Sequence, residues 1–299
     1  MQKLTNSISP HQYEISLPVY TAPENHKISA IAEIFGGVYA VVYNNDTRRN
    51  SQILWNWQPV YDGGDETIGY PLVWGNYIMA AGECGNLIYC INHNVNDLRR
   101  HIPLKWATAC VKFAGYPCVL DLISGQQINV RECFGGHTIA TLPGDNIAMR
   151  AVEYNGALWA AVTSSDESEY YGLSCTDGRL IREKHCRNVC VFYSKLLYSA
   201  GNRVFHYDGH TSHCLGELPC ETITDMQVII HDIQPATIRI AGGNPSSFWD
   251  VDLDGNVTQI TTFKSLNAPV GGSCFRELAS KNYIVRCIKG TQSIVYKTV

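Results

Sequence analysis

The stretch WATACVKFAGYPCVLDLISGQQINVRECFGGHTIATLP, residues 106–143, holds four strand-like runs divided by turn residues. ATACVKF and YPCVLDL meet at an Ala-Gly step. QQINVREC follows Ser-Gly, and HTIATLP follows Gly-Gly. Val, Ile, Cys and aromatic residues fill the runs. Gly sits where a hairpin needs positive φ. No run keeps a helical period long enough to make more than two turns of helix. The stretch is therefore a unit of four antiparallel strands.

Working outward, the same rhythm recurs on both sides. IAMRAVEYNG and ALWAAVT open the next unit, and VCVFYSK, LLYSAG and RVFHYDG the one after. The turn phrases FGG, WGN, YNG, YDG and LDG mark the bends. Units begin near residues 28, 67, 106, 147, 188, 226 and 272. Those steps are about forty residues, the length of a four-stranded propeller blade. The expectation is an all-β fold, a seven-bladed β-propeller forming one domain over residues 1–299. The last unit ends at Val299 one strand short, while residues 11–20, HQYEISLPVY, precede the first unit as a surplus strand. Residues 1–27 are thus read as lead-in and closing strand, with 11–20 pairing as the outer strand of the last blade and removing its exposed edge.

Composition narrows the function. Charged residues are 17% and the net charge is -4. This balance argues against a broad nucleic-acid surface, which needs a basic excess. The first twenty residues lack the apolar core of a signal peptide, and no apolar run reaches membrane-spanning length. The expectation is a cytoplasmic or otherwise intracellular protein with no membrane insertion. Twelve cysteines allow six disulfides. Many of them lie in apolar strand runs of a chain large enough to need no staples, so mostly reduced thiols are expected.

Binding groups belong on the loops of such a scaffold. Strand alternation places the loops between second and third strands on the same face as the loops between blades. Residues 44–51, NNDTRRNS, bring Arg48 and Arg49 to that face. Residues 163–170, TSSDESEY, bring Asp166, Glu167 and Tyr170. The inter-blade loop 61–67, YDGGDET, adds Asp65, and Trp57 is a candidate aromatic anchor. These seven residues are the expected binding set.

Metal and enzyme signals are weaker. DVDLDGN at 250–256 opens like a calcium loop, but its twelfth position is Thr261 where a bidentate Glu is required. A strand entering an Asp-Gly hairpin explains it better. FHYDGHTSHC supplies His206, His210, His213 and Cys214, types that suit zinc, but no CxxC pair accompanies them. No metal and no cofactor is expected. The nucleophile elbow, the phosphate loop and the zinc-protease motif are all missing. Asp121, Glu153, Asp232 and Glu277 are carboxylates that a central funnel would have to bring together for glycoside chemistry. The six tryptophans do not recur at one position per unit, which disfavours a repeated sugar site.

The phrases RVFHYDG…GELP and FWDVDLDGNV resemble the β-propeller superfamily, loosely its kelch-like repeats. The WD signature is missing from the expected blade ends. The resemblance covers nearly the whole chain as a fold and implies no particular substrate. The leading expectation is a non-catalytic module that binds a protein partner through one loop-rich face. The alternative is a glycan-active hydrolase or lyase, or a sugar-binding propeller, using the central funnel.

Overall fold

A computed structural model of the chain describes residues 3–4, 8–10, 15–34, 36–47, 49–75, 77–82, 86–91, 100–101, 104, 106–123, 127–143, 148–162, 172–183, 185–263, 277–288 and 291–298. Every regular element among them is a β-strand. No helix among the described residues is long and apolar enough to cross a membrane.

The chain begins with β1 (Ile8–Pro10) and β2 (Ile15–Thr21). Next come β3 (His26–Ile34), β4 (Gly37–Asn44), β5 (Gln52–Trp55) and β6 (Gln58–Asp62). They are followed by β7 (Leu72–Trp74), β8 (Tyr77–Ala81), β9 (Asn86–Ile91) and β10 (Arg100–His101). The quoted stretch gives β11 (Ala107–Phe113), β12 (Tyr116–Leu122), β13 (Gln127–Glu132) and β14 (Thr138–Pro143). Then follow β15 (Ala148–Tyr154), β16 (Ala157–Val162), β17 (Gly172–Cys175) and β18 (Leu180–Arg182). The next group is β19 (Cys186–Phe192), β20 (Lys195–Ala200), β21 (Arg203–Tyr207) and β22 (Ser212–Glu217). After it come β23 (Thr222–Ile229), β24 (Thr237–Gly243), β25 (Ser247–Val251) and β26 (Val257–Thr262). The chain closes with β27 (Leu278–Ala279), β28 (Tyr283–Ile288) and β29 (Gln292–Thr298).

Five of these groups of four form antiparallel sheets in sequence order, from β3–β6 through β19–β22. A sixth four-stranded sheet has the order β2-β29-β28-β27. The expectation of a seven-bladed propeller is therefore corrected: six sheets are four-stranded blades, and β23–β26 belongs instead to a five-stranded sheet because β1 pairs in parallel with β26. An Ile-Ser-Pro segment is too short to signal a strand. Proline is tolerated there because an edge strand has one side with no ladder to serve.

The N-terminal strand does pair with the last blade. β2 lies antiparallel to β29, with Ile15 opposite Thr298 and Thr21 opposite Ile294. The described strand covers 15–21; residues 11–14 of the expected segment lie outside the described residues. Two other starts shift: β7 opens at Leu72 against an expected 67, and β23 at Thr222 against 226. The expected start near 272 falls outside the described residues. The chain's only Trp-Asp dipeptide, Trp249–Asp250, lies within the third strand β25.

Burial explains the strand composition. The second strands β4, β12, β16 and β24 are buried along nearly their whole length. Covered on both faces, they lose the polar alternation of a half-exposed strand. The fourth strands β6, β14, β18 and β22 are largely exposed and carry the polar residues.

The chain divides into two compact units, one of Ala32–Val189 and one of Met1–Ile31 with Cys190–Val299. In the first, Val111, Leu120, Val130, Leu142 and Leu158 form one apolar cluster, and Met79, Ala107, Cys110, Val119 and Cys133 another. In the second, Phe192, Leu197, Met226, Ile240 and Trp249 form the larger cluster. Phe248, Ile260, Ala279 and Ile284 form the smaller one.

Candidate functional site

The loop between β4 and β5 is built by short polar side chains that hold its own backbone. Asn44 Oδ1 accepts from the Asp46 and Thr47 amides at 3.0 and 3.3 Å. Thr47 Oγ1 accepts from the Arg49 amide at 3.2 Å, and the Asn44 amide donates to the Arg49 carbonyl at 3.0 Å. Such Asx and Thr turns fix a loop without a hydrophobic core beneath it.

Ser51 then joins this loop to the segment 61–67. Its amide donates to the Glu66 carbonyl at 3.2 Å, and its carbonyl accepts from Gly63 at 2.9 Å. Its hydroxyl accepts from the Ile68 amide at 3.2 Å. Gly63 is required by this approach: a Cβ there would lie 2.8 Å from the Ser51 carbonyl oxygen. With its amide oriented to suit its neighbours, Asn50 donates to the Gly64 carbonyl at 3.2 Å and to Asp65 Oδ1 at 3.0 Å. Asn50 adopts φ 54° to do so, a conformation Asn tolerates. The two loops therefore form one stitched surface. Asp46, Arg49, Asp62 and Asp65 are exposed on it.

Of the expected binding set, the structure brings Arg49 and Asp65 onto this surface. Trp57 stands elsewhere, in the β5–β6 turn at the opposite end of β5. There it is half-buried at φ 70°, next to Asn56 at φ 46°. Asn56 locks that turn, with Oδ1 accepting from the Val38 amide at 2.9 Å. Arg48, Asp166, Glu167 and Tyr170 lie outside the described residues. Ser51 and Asn50 were missed by the sequence reading, because neither residue type is distinctive without the loop it bridges.

The four candidate carboxylates have structural partners. Asp121 Oδ1 accepts from the Trp106 amide at 3.0 Å, and its Oδ2 lies 2.9 Å from Arg131 Nε. Glu153 accepts from the Ala114 amide at 3.0 Å. Asp232, on an exposed loop, lies 3.3 Å from Lys281 Nζ. Glu277 is fully buried and accepts from Ser246 Oγ at 2.7 Å. These partners are backbone amides, cations and a hydroxyl, which are positioning roles.

The histidine cluster also resolves into local structure. His206 and His213 are direct cross-strand partners on β21 and β22, with ring centroids 6.3 Å apart. His213 Nε2 lies 2.8 Å from Asp208 Oδ2 and 2.9 Å from Thr211 Oγ1. The Thr211 amide, then His213, hold Asp208 well below the usual carboxylate range. Burial lowers His206. Among the described residues no group of three or more His, Cys, Asp or Glu could hold a metal ion.

A larger buried charge was not foreseen. Arg239 on β24 faces Asp250 on β25 through two bonds of 2.8 Å, and its Nη1 donates to the Ser280 and Lys281 carbonyls at 2.9 and 2.6 Å. The fork geometry satisfies both charges inside the protein.

No family model and no curated protein matches the sequence. Solved structures do resemble it. The WD40 β-propeller domain of Doa1 matches with a TM-score of 0.63 at 12% identity, covering 95% of this chain and 96% of that one. BBS1N, solved in complex with ARL6DN, matches with a TM-score of 0.58 at 14% identity, covering 97% and 98%. Raptor from Chaetomium thermophilum matches with a TM-score of 0.60 at 11% identity over 96% of this chain. This chain spans only 30% of Raptor's length. The likeness shows the fold alone: this chain is an all-β propeller.

Proposed function

We propose that the chain is a non-catalytic scaffold that binds a protein partner, with the stitched surface of loops 44–51 and 61–67 as a contact site. The observation that carries this reading is the hydrogen bonding through Ser51 and Asn50. A preorganised loop pair loses little entropy on binding, so its exposed groups contribute directly to recognition. Asp46, Asp62 and Asp65 outnumber Arg49 on the described surface, which favours a partner with basic groups and an association weakened by salt. The structural roles of Asp121, Glu153, Asp232 and Glu277 weigh against glycoside chemistry. BBS1N was solved bound to another protein, which supports this use of the fold. An intracellular setting with mostly reduced thiols belongs to the same proposal.

The test is affinity capture with the full chain and with the variant Asp46→Ala/Arg49→Ala/Asp65→Ala, followed by quantitative mass spectrometry. We expect at least one protein captured by the wild type to fall at least tenfold on the variant, while the two unfold at the same temperature. Equal capture by both would move the interface off this surface.

A further inference from the structure

The loop between β23 and β24 holds apolar side chains out in water. Pairing of these strands ends at Ile229 opposite Thr237, which leaves residues 230–236, IHDIQPA, as the loop. Ile233 is 97% exposed and Ile230 is 75% exposed. The antiparallel path brings the β25–β26 turn, residues 252–256, to the same end of the sheet. Leu253 in that turn is 38% exposed. A lone exposed apolar residue is ordinary, but several at one end of one sheet mark a contact surface.

The loop is held at its base. His231 Nε2 lies 3.0 Å from Thr237 Oγ1, which ties the start of the loop to its end. Lys281 Nζ lies 3.3 Å from Asp232 Oδ1. The backbone of Lys281 is fixed in turn by the buried Arg239, whose Nη1 donates to the Ser280 and Lys281 carbonyls. The Arg239–Asp250 pair therefore sets the turn that carries Lys281, and Lys281 restrains Asp232 between the two isoleucines. Pro235 has a fixed φ. Isoleucine is itself stiff at χ1, so an anchor of this kind loses little freedom on binding.

Resting on the scaffold reading above, though on other residues, we propose that Ile230 and Ile233 are anchors that enter an apolar pocket rimmed by basic groups on a protein partner. Charge selects the occupant. Segments 230–236 and 252–256 contain Asp232, Asp252 and Asp254 and no Lys or Arg. An acidic surface is repelled by an anionic bilayer and by a second copy of itself. A basic rim is attracted to it and steers the approach. The isoleucines then leave water in the partner's pocket, where buried central anchors carry most of the affinity.

The full chain with the photo-crosslinker p-benzoylphenylalanine in place of Ile233 tests this. It would be irradiated in extract of the source cells, beside a control carrying the crosslinker at exposed Glu217. The protein joined at 233 and not at 217 would be identified by mass spectrometry, purified and titrated calorimetrically against the full chain. Its affinity for Ile230→Ser/Ile233→Ser is expected to be at least tenfold weaker than for the wild type. Asp232→Lys/Asp254→Lys should also weaken it, and the wild-type affinity should fall as salt rises. Asp46→Ala/Arg49→Ala/Asp65→Ala should bind as the wild type does, so failure of either surface is read separately from the other. No protein specific to position 233, equal affinity for the isoleucine variant, or affinity indifferent to salt would overturn the proposal. So would a dimer in sedimentation velocity that the isoleucine variant loses, which would make a second copy the occupant. Pelleting of the wild type, but not of that variant, with phosphatidylcholine–phosphatidylserine vesicles would assign the loop to a bilayer instead.

Discussion

The carboxyl of Glu277 is buried, with Oε1 accepting from Ser246 Oγ at 2.7 Å. Burial pushes its pKa from 4.5 up to about 7, and the Ser246 hydrogen bond only partly opposes this. The folded chain therefore keeps this proton at pH values where the unfolded chain has released it. Below about pH 4.5 the group costs no stability. Stability falls as the pH rises from there to about 7, and stays lowered above. A gap of that size is worth on the order of 3 kcal/mol. Glu277→Gln should flatten this window in urea unfolding measured between pH 4.5 and 8, leaving the variant less pH-dependent than the wild type. Sequence marked Glu277 as a carboxylate of interest but gave no environment for it. Arg239 was harder still. ATIRIAGG and FWDVDLDG are both legible as strands, yet a charge in a strand normally faces water. Only the register, with Arg239 opposite Asp250, turns two surface charges into a buried pair.

Hairpins were the most legible elements. Asn155–Gly156 joins β15 to β16 with φ of 50° and 76°, the two positive values that a type I′ turn demands. The same turn recurs between β19 and β20, where Tyr193 and Ser194 take φ of 46° and 59°. Neither residue suits that conformation, so only the flanking strands marked the turn in sequence. Ser194 is exposed. Ser194→Gly should therefore stabilise the chain by about 0.5–1 kcal/mol through relief of left-handed strain, seen as a higher urea midpoint at unchanged slope. The alternation of hairpins also decides the candidate site. It places the 44–51 and 61–67 loops at one end of their sheet and Trp57 at the other. Composition had grouped Trp57 with those loops, but the antiparallel path separates them. β1 stayed invisible because three residues ending in proline carry too little pattern to distinguish a strand from a linker.

Across the whole molecule, period and turn chemistry identified the propeller, whereas the extra strand on β26 depends on contacts far apart in sequence. Cysteine chemistry follows the same division between pattern and packing. Cys110, Cys118, Cys133, Cys175, Cys186, Cys190, Cys214, Cys220 and Cys287 are all free thiols. Most of them occupy apolar strand positions, where a thiol serves as a small hydrophobe. Burial pushes Cys118 and Cys220 up to about 12 and Cys175 up to about 11, suppressing the reactive thiolate. Cys214 on β22 is exposed. Brief iodoacetamide treatment of the native chain, read by peptide mass spectrometry, should modify Cys214 at least tenfold faster than the other eight. In denaturant without reductant all nine should react. A buried thiol that matched Cys214 under native conditions would place it at the surface. A thiol that resisted in denaturant would reveal a disulfide where the packing has a free cysteine.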